Sequence, residues 1–177
     1  MDRRTSIRNL AIISAGAVFL PSCVPDEKKS SLSLKHIKIG GKDEAFLAEL
    51  SEAILPKTAT PGSKDLSAHA FALMMVDDCF SPENQDKFTK GLTGFHEFTE
   101  KKFDKAFIKC NPSEKMELLK SIEEKKDIPE NTAFFYNSMK RLTIQAFTTS
   151  EYYLTKVQVY KLAPGKFYGC VPVNKTS

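Results

Sequence analysis

The stretch from Thr132 to Ser150 places its apolar residues at helical spacing. Four of them follow the spacing i, i+4, i+7 and i+11, namely Phe135, Met139, Leu142 and Ala146. Three more widen this stripe, namely Phe134, Ile144 and Phe147. An apolar face of this width is typical of a helix at the centre of a helical domain. We predict a core helix that begins at Asn131 or Thr132, after Pro129, and ends where Thr148 to Ser150 compete for backbone hydrogen bonds.

Two shorter helices are predicted in the first half of the chain. Asp43 is placed to cap the first, and Pro56 stops it because the residue before a proline resists helical geometry. The second runs from Leu66 to Phe80. Its predicted buried face consists of Ala68, Phe71, Ala72, Met75, Val76 and Cys79. Between the two helices, Lys57 to Gly62 is predicted to be a loop with defined corners, whose threonine hydroxyls bond to nearby backbone.

Two further helices begin with a capping residue followed by proline. Ser81-Pro82 starts the first, and Asn111-Pro112 starts the second, where Glu114 is spaced to complete a capping box. The first is long, and its apolar stripe is predicted to comprise Phe88, Leu92, Phe95, Phe98 or Phe103, and Phe107. Gly91 and Gly94 interrupt it. Because glycine costs stability inside a helix, we expect these two to permit close packing or a kink.

These patterns predict an all-α protein with a single compact domain of five to six helices and an irregular C-terminal tail. The chain has 177 residues, of which 41% are hydrophobic, so it is long enough for one substantial core and too short for two. Its formal net charge of +4 is nearly balanced, which argues against a nucleic-acid partner. The tail after Ser150 is rich in aromatic and β-branched residues, and we expect it to lie over the core.

The N-terminus has the three parts of an export signal. Arg3 and Arg4 open it, Leu10 to Leu20 is a short apolar run, and Cys23 follows a Leu-Pro-Ser sequence. The run is about half of the ~20 residues that a membrane-spanning helix needs. The paired arginines are similar to a twin-arginine signal, and Leu-Pro-Ser-Cys resembles a lipoprotein cleavage site with Cys23 as the acylated residue. Ordinary secretion and an incidental cysteine remain the alternatives.

The predicted organisation therefore has three parts. Residues 1–22 form a twin-arginine-like lipoprotein signal peptide that is cleaved, residues 23–42 carry the lipidated cysteine and a flexible tether, and residues 43–177 form the helical domain. A proline, charged residues and serines after Cys23 give the tether its composition. Within it, residues 34–39 alternate enough to form a short extended piece. This organisation predicts an exported protein that is lipid-anchored at the periplasmic side of a bacterial membrane.

The residues that carry chemistry are scattered. Cys79, Cys110 and Cys170 lack the clustering of a metal or haem site, and at most one pair of them forms a disulfide, with Cys170 as the exposed candidate. The three histidines, His36, His69 and His96, share no ligand spacing. Asp77-Asp78 is interpreted as a surface feature. The sequence therefore predicts no catalytic, cofactor or metal site in this chain.

Three blocks of sequence carry a family resemblance. The first runs from Ala53 to Gly62, the second from Asp77 to Glu83, and the third comprises residues between Phe135 and Cys170. The third block consists of Phe135, Lys140-Arg141-Leu142-Thr143, Ser150, Tyr160, Pro164-Gly165 and Gly169-Cys170. In this order they resemble the gluconate 2-dehydrogenase subunit 3 family. That family comprises small subunits that pair with a large flavin-containing dehydrogenase acting on sugars or sugar acids.

The resemblance implies a non-catalytic accessory subunit that assists export, assembly and membrane tethering of such a dehydrogenase. FAD is expected in the large flavoprotein partner, from which electrons pass to a carrier such as a cytochrome. The predicted contact surface combines the loop at Pro61 and Gly62 with the tail at Pro164, Gly165 and Cys170, and Arg141 is a further candidate for an ion pair across it. Two alternatives stay open: a solitary lipoprotein that binds a small ligand in a polar-lined pocket, and an enzyme in which His69, His96 or Asp77-Asp78 meets another reactive group.

Overall fold

The computed structural model describes residues 30–124 and 128–158, together with residues 160, 161, 163, 165, 169 and 170. Five α-helices follow one another: α1 (Gly41–Ile54), α2 (Ala68–Cys79), α3 (Pro82–Phe103), α4 (Pro112–Glu123) and α5 (Glu130–Thr148). A 3₁₀ turn (Phe107–Lys109) and a π-helical turn (Tyr153–Val157) complete the regular structure. The predicted all-α class is confirmed, and the described residues contain no strand. None of the helices found in this part of the chain has the length and apolar character needed to cross a bilayer.

Helix α5 is the centre of the fold, as its apolar stripe predicts. Phe135, Met139 and Leu142 are fully buried, and α5 packs against α3, α2, α1 and α4. Ile144, which we placed in the stripe, is instead 45% exposed. The reason is geometric, because two residues past Leu142 is about 200° around the helix. Helix α5 also begins at Glu130, with Pro129 at the cap position, one or two residues before the predicted start.

Five phenylalanine rings from four elements form the middle of the core. Their centroids lie 4.9 to 6.3 Å apart in tilted, edge-on and stacked pairs. The rings are those of Phe46, Phe88, Phe95, Phe107 and Phe135. Phe107 reaches this cluster from the 3₁₀ turn and not from the long helix in which we placed it. Helix α3 stops at Phe103 because Asp104 adopts a left-handed conformation, with φ of 53°.

The glycines of α3 bring it against α5. A Cβ atom at Gly91 would lie 2.1 Å from the carbonyl oxygen of Asn131 and 2.6 Å from the Cβ of Phe135. A Cβ at Gly94 would lie 2.4 Å from the hydroxyl oxygen of Thr132. Any side chain at either position would therefore push the helices apart. The prediction that these glycines permit close packing is confirmed.

The capping residues predicted from the sequence are confirmed at the starts of α3 and α4 but not at the start of α1. The side chain of Asn111 accepts a hydrogen bond from the Glu114 N–H, and the Glu114 carboxylate accepts from the Asn111 N–H, which is a complete capping box. The Ser81 side chain caps α3. Helix α1 begins at Gly41, so the predicted capping residue Asp43 lies within its first turn.

Helix α2 is shorter than predicted and buries a different set of residues. Ser67 has φ of 49°, which interrupts helical geometry, and the helix begins at Ala68. Cys79, predicted to be buried, is exposed because it is the last helical residue and lies at the edge of the packed face. Leu73, which we did not assign to the buried face, is fully buried.

The segment before α1 is part of the domain. Ile37 and Ile39 are buried in the core, and Leu32 and Leu34 pack against it. The Asp77 carboxylate, at the end of α2, accepts hydrogen bonds from the backbone N–H groups of residues 35, 36 and 37 at 2.7 to 2.8 Å. Two predictions are thereby corrected. Residues 30–42 belong to the folded body and not to a tether, and Asp77 is a buried anchor and not a surface feature.

Candidate partner-contact surface

The loop between α1 and α2, residues 55–67, is exposed at its tip and fixed from within. Residues 56 to 59 are exposed. One oxygen of the Glu52 carboxylate accepts a hydrogen bond from the Lys57 N–H and the other accepts from the Lys64 N–H, both at 2.9 Å. The Asp65 carboxylate accepts from the Gly62 N–H at 3.1 Å and pairs with the Lys57 ammonium at 3.0 Å. Two carboxylates therefore hold both sides of the loop in one conformation.

Gly62 is required by this arrangement. It is buried, and a Cβ atom there would lie 2.6 Å from a Glu52 carboxylate oxygen and 2.7 Å from the Lys57 backbone nitrogen. The hydrogen bond between those two groups passes directly beside the Gly62 Cα. The Pro61-Gly62 corner that the sequence indicates is thus a point where the loop lies too close to the Glu52 side chain of α1 for any residue with a Cβ atom.

The base of the loop is closed by buried polar contacts. The Ser63 hydroxyl donates to the Ser51 carbonyl at 2.7 Å, and both serines are fully buried. The Ser63 N–H donates to the Leu55 carbonyl at 3.0 Å. At the tip, the hydroxyls of Thr58 and Thr60 lie 3.3 Å apart and bond to each other. The Thr58 hydroxyl also accepts a hydrogen bond from the Thr60 N–H at 3.4 Å, which is the predicted bond to nearby backbone.

A shallow apolar groove continues from the loop between α1 and α4. It has a volume of about 320 Å³. Its lining residues are Glu49, Glu52, Ala53, Pro56, Pro112, Lys115 and Met116. Pro56 belongs to both the loop and the groove, so the two form one continuous surface. Met116 is 49% exposed there, although methionine ordinarily fills cores.

Ion pairs fix the walls of the groove. The Glu49 carboxylate pairs with Lys64 from the loop and, at 3.1 Å, with Lys115 from α4. The hydrogen bond from Lys64, with the smaller effect of Lys115, holds the pKa of Glu49 below its usual value. The Lys115 ammonium also lies 5.2 Å from the centre of the Phe107 ring. The loop, α1 and α4 are therefore joined through Glu49.

The other predicted contact residues lie elsewhere. Arg141 is exposed on α5, with its guanidinium 5.9 Å from the centre of the Phe80 ring. Gly165 is exposed with φ of 68°, and Cys170 is exposed. In the tail, Tyr152 and Tyr153 pack on Phe147. The described residues from 155 onward are all exposed. Our prediction that the tail lies over the core is therefore wrong for these residues. Pro164, Arg3, Arg4 and Cys23 lie outside the described residues.

The histidine and aspartate side chains that we considered for a metal or catalytic site mainly stabilise the fold. His36 meets Asp77 and Asp78, and their ligand-type atoms lie within 4.8 Å of one another. The Asp77 oxygens, however, already accept three backbone hydrogen bonds, which uses three of about four acceptor positions. Burial of the carboxylate raises the pKa of Asp77, but these backbone bonds outweigh it, and the pKa is lowered overall. Asp77 is therefore a structural anchor.

Among the described residues, His69, His96 and the cysteines join no cluster of three potential metal ligands, although the His96 Nε2 atom lies 3.5 Å from an Asp43 carboxylate oxygen. The His96 ring packs on Phe46 with centroids 4.3 Å apart. Partial burial lowers the pKa of His69. Cys79, Cys110 and Cys170 are free thiols, and burial raises the pKa of Cys110. Of the described residues, those that line a larger hollow of about 570 Å³ lie between Ser30 and Gly40, at the start of the described chain.

The sequence model of one protein family, described as gluconate 2-dehydrogenase subunit 3, matches residues 42–165. The chain belongs to this family. The match contains the loop, the groove and Arg141, and it ends before Cys170. No curated protein and no solved structure matches the chain significantly. The family is that of a subunit in a multi-subunit gluconate dehydrogenase complex, so other subunits are implied as partners.

Sequence reasoning missed the three carboxylates that shape this surface, those of Glu52, Asp65 and Glu49. Glu52 lies on α1 as one of several charged residues, and only the fold shows that the loop returns over it. Asp65 carried a local signal, because an acidic side chain can reach back to the N–H group three residues earlier, as it does in a capping box. Glu49 joins three separate segments and had no such signal.

Replacing Glu52 by alanine is expected to loosen the loop while α1 to α5 stay folded. The N–H groups of Lys57 and Lys64 lose their acceptor, and a hydrogen bond is worth about 1 kcal/mol, so their amide exchange should accelerate about five- to tenfold. Hydrogen exchange read at single residues measures this. Glu97→Ala, which removes an exposed carboxylate from α3, is the control. Unchanged protection of both amides in the Glu52 variant would contradict the role given to this carboxylate.

Proposed function

We propose that this chain is the non-catalytic small subunit of a dehydrogenase complex that oxidises a sugar or sugar acid of the gluconate type. The observation that carries the proposal is the family match across the whole helical body, residues 42–165. In the proposed complex a large flavoprotein subunit holds FAD and oxidises the substrate, and a cytochrome accepts the electrons. The small subunit assists the export, assembly and membrane attachment of the flavoprotein.

The N-terminal sequence supports this division of roles. A flavoprotein folds around its cofactor before export, and a twin-arginine signal serves cargo that is already folded. Arg3 and Arg4 on the small subunit can thus export both chains together. Acylation of Cys23 then attaches the complex to the membrane on the periplasmic side. More than one acyl chain gives stable attachment, because a single chain binds only marginally.

The loop and groove support a role in protein contact. A loop held by two carboxylates loses little conformational entropy when a partner binds, which favours affinity. Pro56, Ala59 and Met116 are exposed and offer apolar surface next to fixed polar groups, as contact surfaces often do. The tail residues Gly165 and Cys170 are also exposed and form a second, separate candidate for contact with the partner.

Gentle purification of the tagged full-length protein from membranes of its native host tests the proposal. We expect a yellow complex with flavin absorbance, containing a large dehydrogenase subunit and oxidising gluconate or a related sugar acid with an artificial electron acceptor. A colourless, solitary protein would contradict the proposal and would favour ligand binding in the hollow beside residues 30–40. Cys23→Ala is expected to release the complex from membranes without dissociating it.

A pair of matched substitutions tests the contact surface within that complex. Ala59, at the loop tip, and Ala45, on α1, are both exposed alanines. Ala59→Glu is expected to weaken binding of the flavoprotein at least tenfold, because it places an unpaired charge in the interface, whereas Ala45→Glu should leave binding unchanged. Removal of the chain after residue 158 should also weaken binding. Full retention of the flavoprotein by both the Ala59 variant and the shortened chain would place the interface elsewhere.

A further inference from the structure

The outer face of α5 carries an arginine that an aromatic ring holds in place. The Arg141 guanidinium lies 5.9 Å from the centre of the Phe80 ring, a distance at which a cation is attracted to the ring. Among the described residues, no carboxylate lies within 4.0 Å of the guanidinium and none accepts a hydrogen bond from it. Its N–H groups form a rigid fork that matches the shape of a carboxylate. The fork is therefore open to an acceptor on another molecule.

Apolar side chains lie beside this arginine. Phe134 precedes it by seven residues, about two helical turns, and packs on Phe80 with ring centroids 6.3 Å apart. Both rings are only partly buried. Ile144 lies one turn after Arg141 and is 45% exposed. Aromatic residues and arginine are enriched in the contact surfaces of proteins. We call Phe80, Phe134, Arg141 and Ile144 the α5 outer surface.

This surface is separate from the loop and the groove. Lys140, the neighbour of Arg141, pairs with Glu123 at the end of α4. Arg141 instead meets Phe80, which follows the last residue of α2. The α5 outer surface thus faces the α2 side of α5, whereas the groove lies between α1 and α4. It offers a second place of contact on the same body.

The charged groups near Arg141 leave little net charge on this side. Lys140 is paired with Glu123, and the acidic Asp78 lies two residues before Phe80. Long-range attraction is therefore weak, and recognition depends on short, directional hydrogen bonds from the guanidinium. Such bonds are strongest with a carboxylate, which can accept two of them in parallel. The chemistry of the surface thus indicates one acidic side chain with apolar neighbours as its complement.

The tail that follows α5 cannot supply this acidic side chain. Residues 152–177 contain four lysines and no aspartate or glutamate. An acceptor for the guanidinium is therefore to be sought on another molecule. The family implies other subunits as partners, and in the proposed complex the large flavoprotein is the subunit that this chain accompanies.

We propose that the α5 outer surface binds the large flavoprotein subunit, with Arg141 paired to a carboxylate of that subunit and Ile144 buried against its apolar side chains. This inference rests on the proposed function and adds a second contact to the loop and groove. The Phe80 ring restricts the guanidinium before binding, so less side-chain entropy is lost when the pair forms. Helix α5 is the centre of the fold, so the contact joins the flavoprotein to the rigid part of the domain.

The dissociation constant of the purified complex, measured by dilution and mass photometry, tests this surface. We expect Arg141→Gln to weaken the complex about 30-fold, because the carboxylate of the flavoprotein is left buried without its pair. Arg141→Lys keeps the charge but loses the two parallel hydrogen bonds, so it should still weaken the complex about tenfold. Since Arg141 is exposed, both variants should unfold at the same urea concentration as the unaltered chain.

Two matched substitutions serve as controls. Lys101→Gln removes an exposed positive charge from α3, and Ile108→Ser replaces an isoleucine that is 47% exposed in the 3₁₀ turn. Each should change the dissociation constant less than about twofold, because both residues lie outside the α5 outer surface. Ile144→Ser, at a similarly exposed isoleucine, should weaken the complex about fivefold because apolar burial is lost.

Three results would overturn the inference. The first is full affinity in Arg141→Gln, and the second is full recovery of affinity in Arg141→Lys. The third is a dimer of the isolated chain that Arg141→Gln dissociates, which would assign the surface to a second copy of this chain. If the unaltered chain purifies without a flavoprotein, the proposed function and this inference both fail. If the unaltered chain retains the flavoprotein and the Arg141 variants bind it equally well, this inference alone fails.

Discussion

Replacing Asp77 by alanine is expected to lower the free energy of unfolding by about 4 kcal/mol. The substitution leaves three backbone N–H groups without an acceptor, one of them at the buried Ile37 and two at the part-buried bonds of Lys35 and His36. Each unsatisfied buried group costs about 1 to 3 kcal/mol, and partial exposure of Lys35 and His36 reduces the total. Urea unfolding followed by circular dichroism measures the loss. Asp78→Ala, at the exposed neighbouring position, should change stability by less than about 0.5 kcal/mol.

The same carboxylate gives the protein a defined response to acid. The pKa of Asp77 in the folded protein is lowered below that of an unfolded aspartate, which is about 3.9. A lowered folded pKa means that its stabilisation is complete above pH of about 4 and is lost as the pH falls through the folded value. Asp77→Asn should therefore show a weaker loss of stability between about pH 4 and pH 2 than the unaltered protein. If the free energy of unfolding fell equally steeply with decreasing pH in both proteins, the result would argue against Asp77 as an ionised anchor.

Replacing Gly91 by alanine is expected to destabilise the fold by about 3 kcal/mol, although alanine is the better helix former by about 1 kcal/mol. The new methyl group would lie 2.1 Å from the Asn131 carbonyl oxygen, and backbone atoms can move away only if α5 shifts from α3. Since α5 carries the centre of the core, that shift disturbs Phe135 and its ring contacts. Thermal and urea unfolding measure the effect.

Gly94 offers the matched comparison for Gly91. Its alanine would meet only the hydroxyl of Thr132, a side-chain atom, at 2.4 Å. Thr132→Ala removes that atom, so the double variant Gly94→Ala with Thr132→Ala should recover most of the stability that Gly94→Ala loses. Thr132→Ala should not rescue Gly91→Ala, because the obstacle there is backbone. Rescue of both glycine variants, or of neither, would contradict this account of the contact.

The sequence predicts the parts of the fold whose cause lies within a few residues. The capping box at Asn111 and Glu114, the proline start at Pro82 and the stripe of α5 all depend on neighbours three or four positions away. The glycines of α3 predicted its close packing, because glycine lowers helix stability and is expected inside a helix where a larger side chain would not fit. Phe107 was correctly assigned to the core, because its apolar side chain favours burial. It was assigned to the wrong element, because no sequence pattern indicated that Asp104 would adopt a left-handed conformation and end α3.

What could not be predicted depends on segments that meet only in three dimensions. Asp77 bonds to N–H groups about 40 residues earlier, and no local pattern distinguishes such an acidic residue from a solvated one. The candidate contact surface likewise has one part that the sequence predicts and one part that it does not. The corner at Pro61 and Gly62 is visible in the sequence, whereas the return of the loop over Glu52 and the groove beside Pro56 require the packing of α1 against α4.

The attachment of residues 30–40 has a consequence for where this domain begins as a folding unit. The family match starts at residue 42, inside the first turn of α1. A shortened chain beginning there would lack Ile37 and Ile39, leave two gaps in the core, and bury the Asp77 carboxylate without its three donors. The folded body of this chain therefore extends upstream of the matched region, and a stable shortened form has to begin before Ile37.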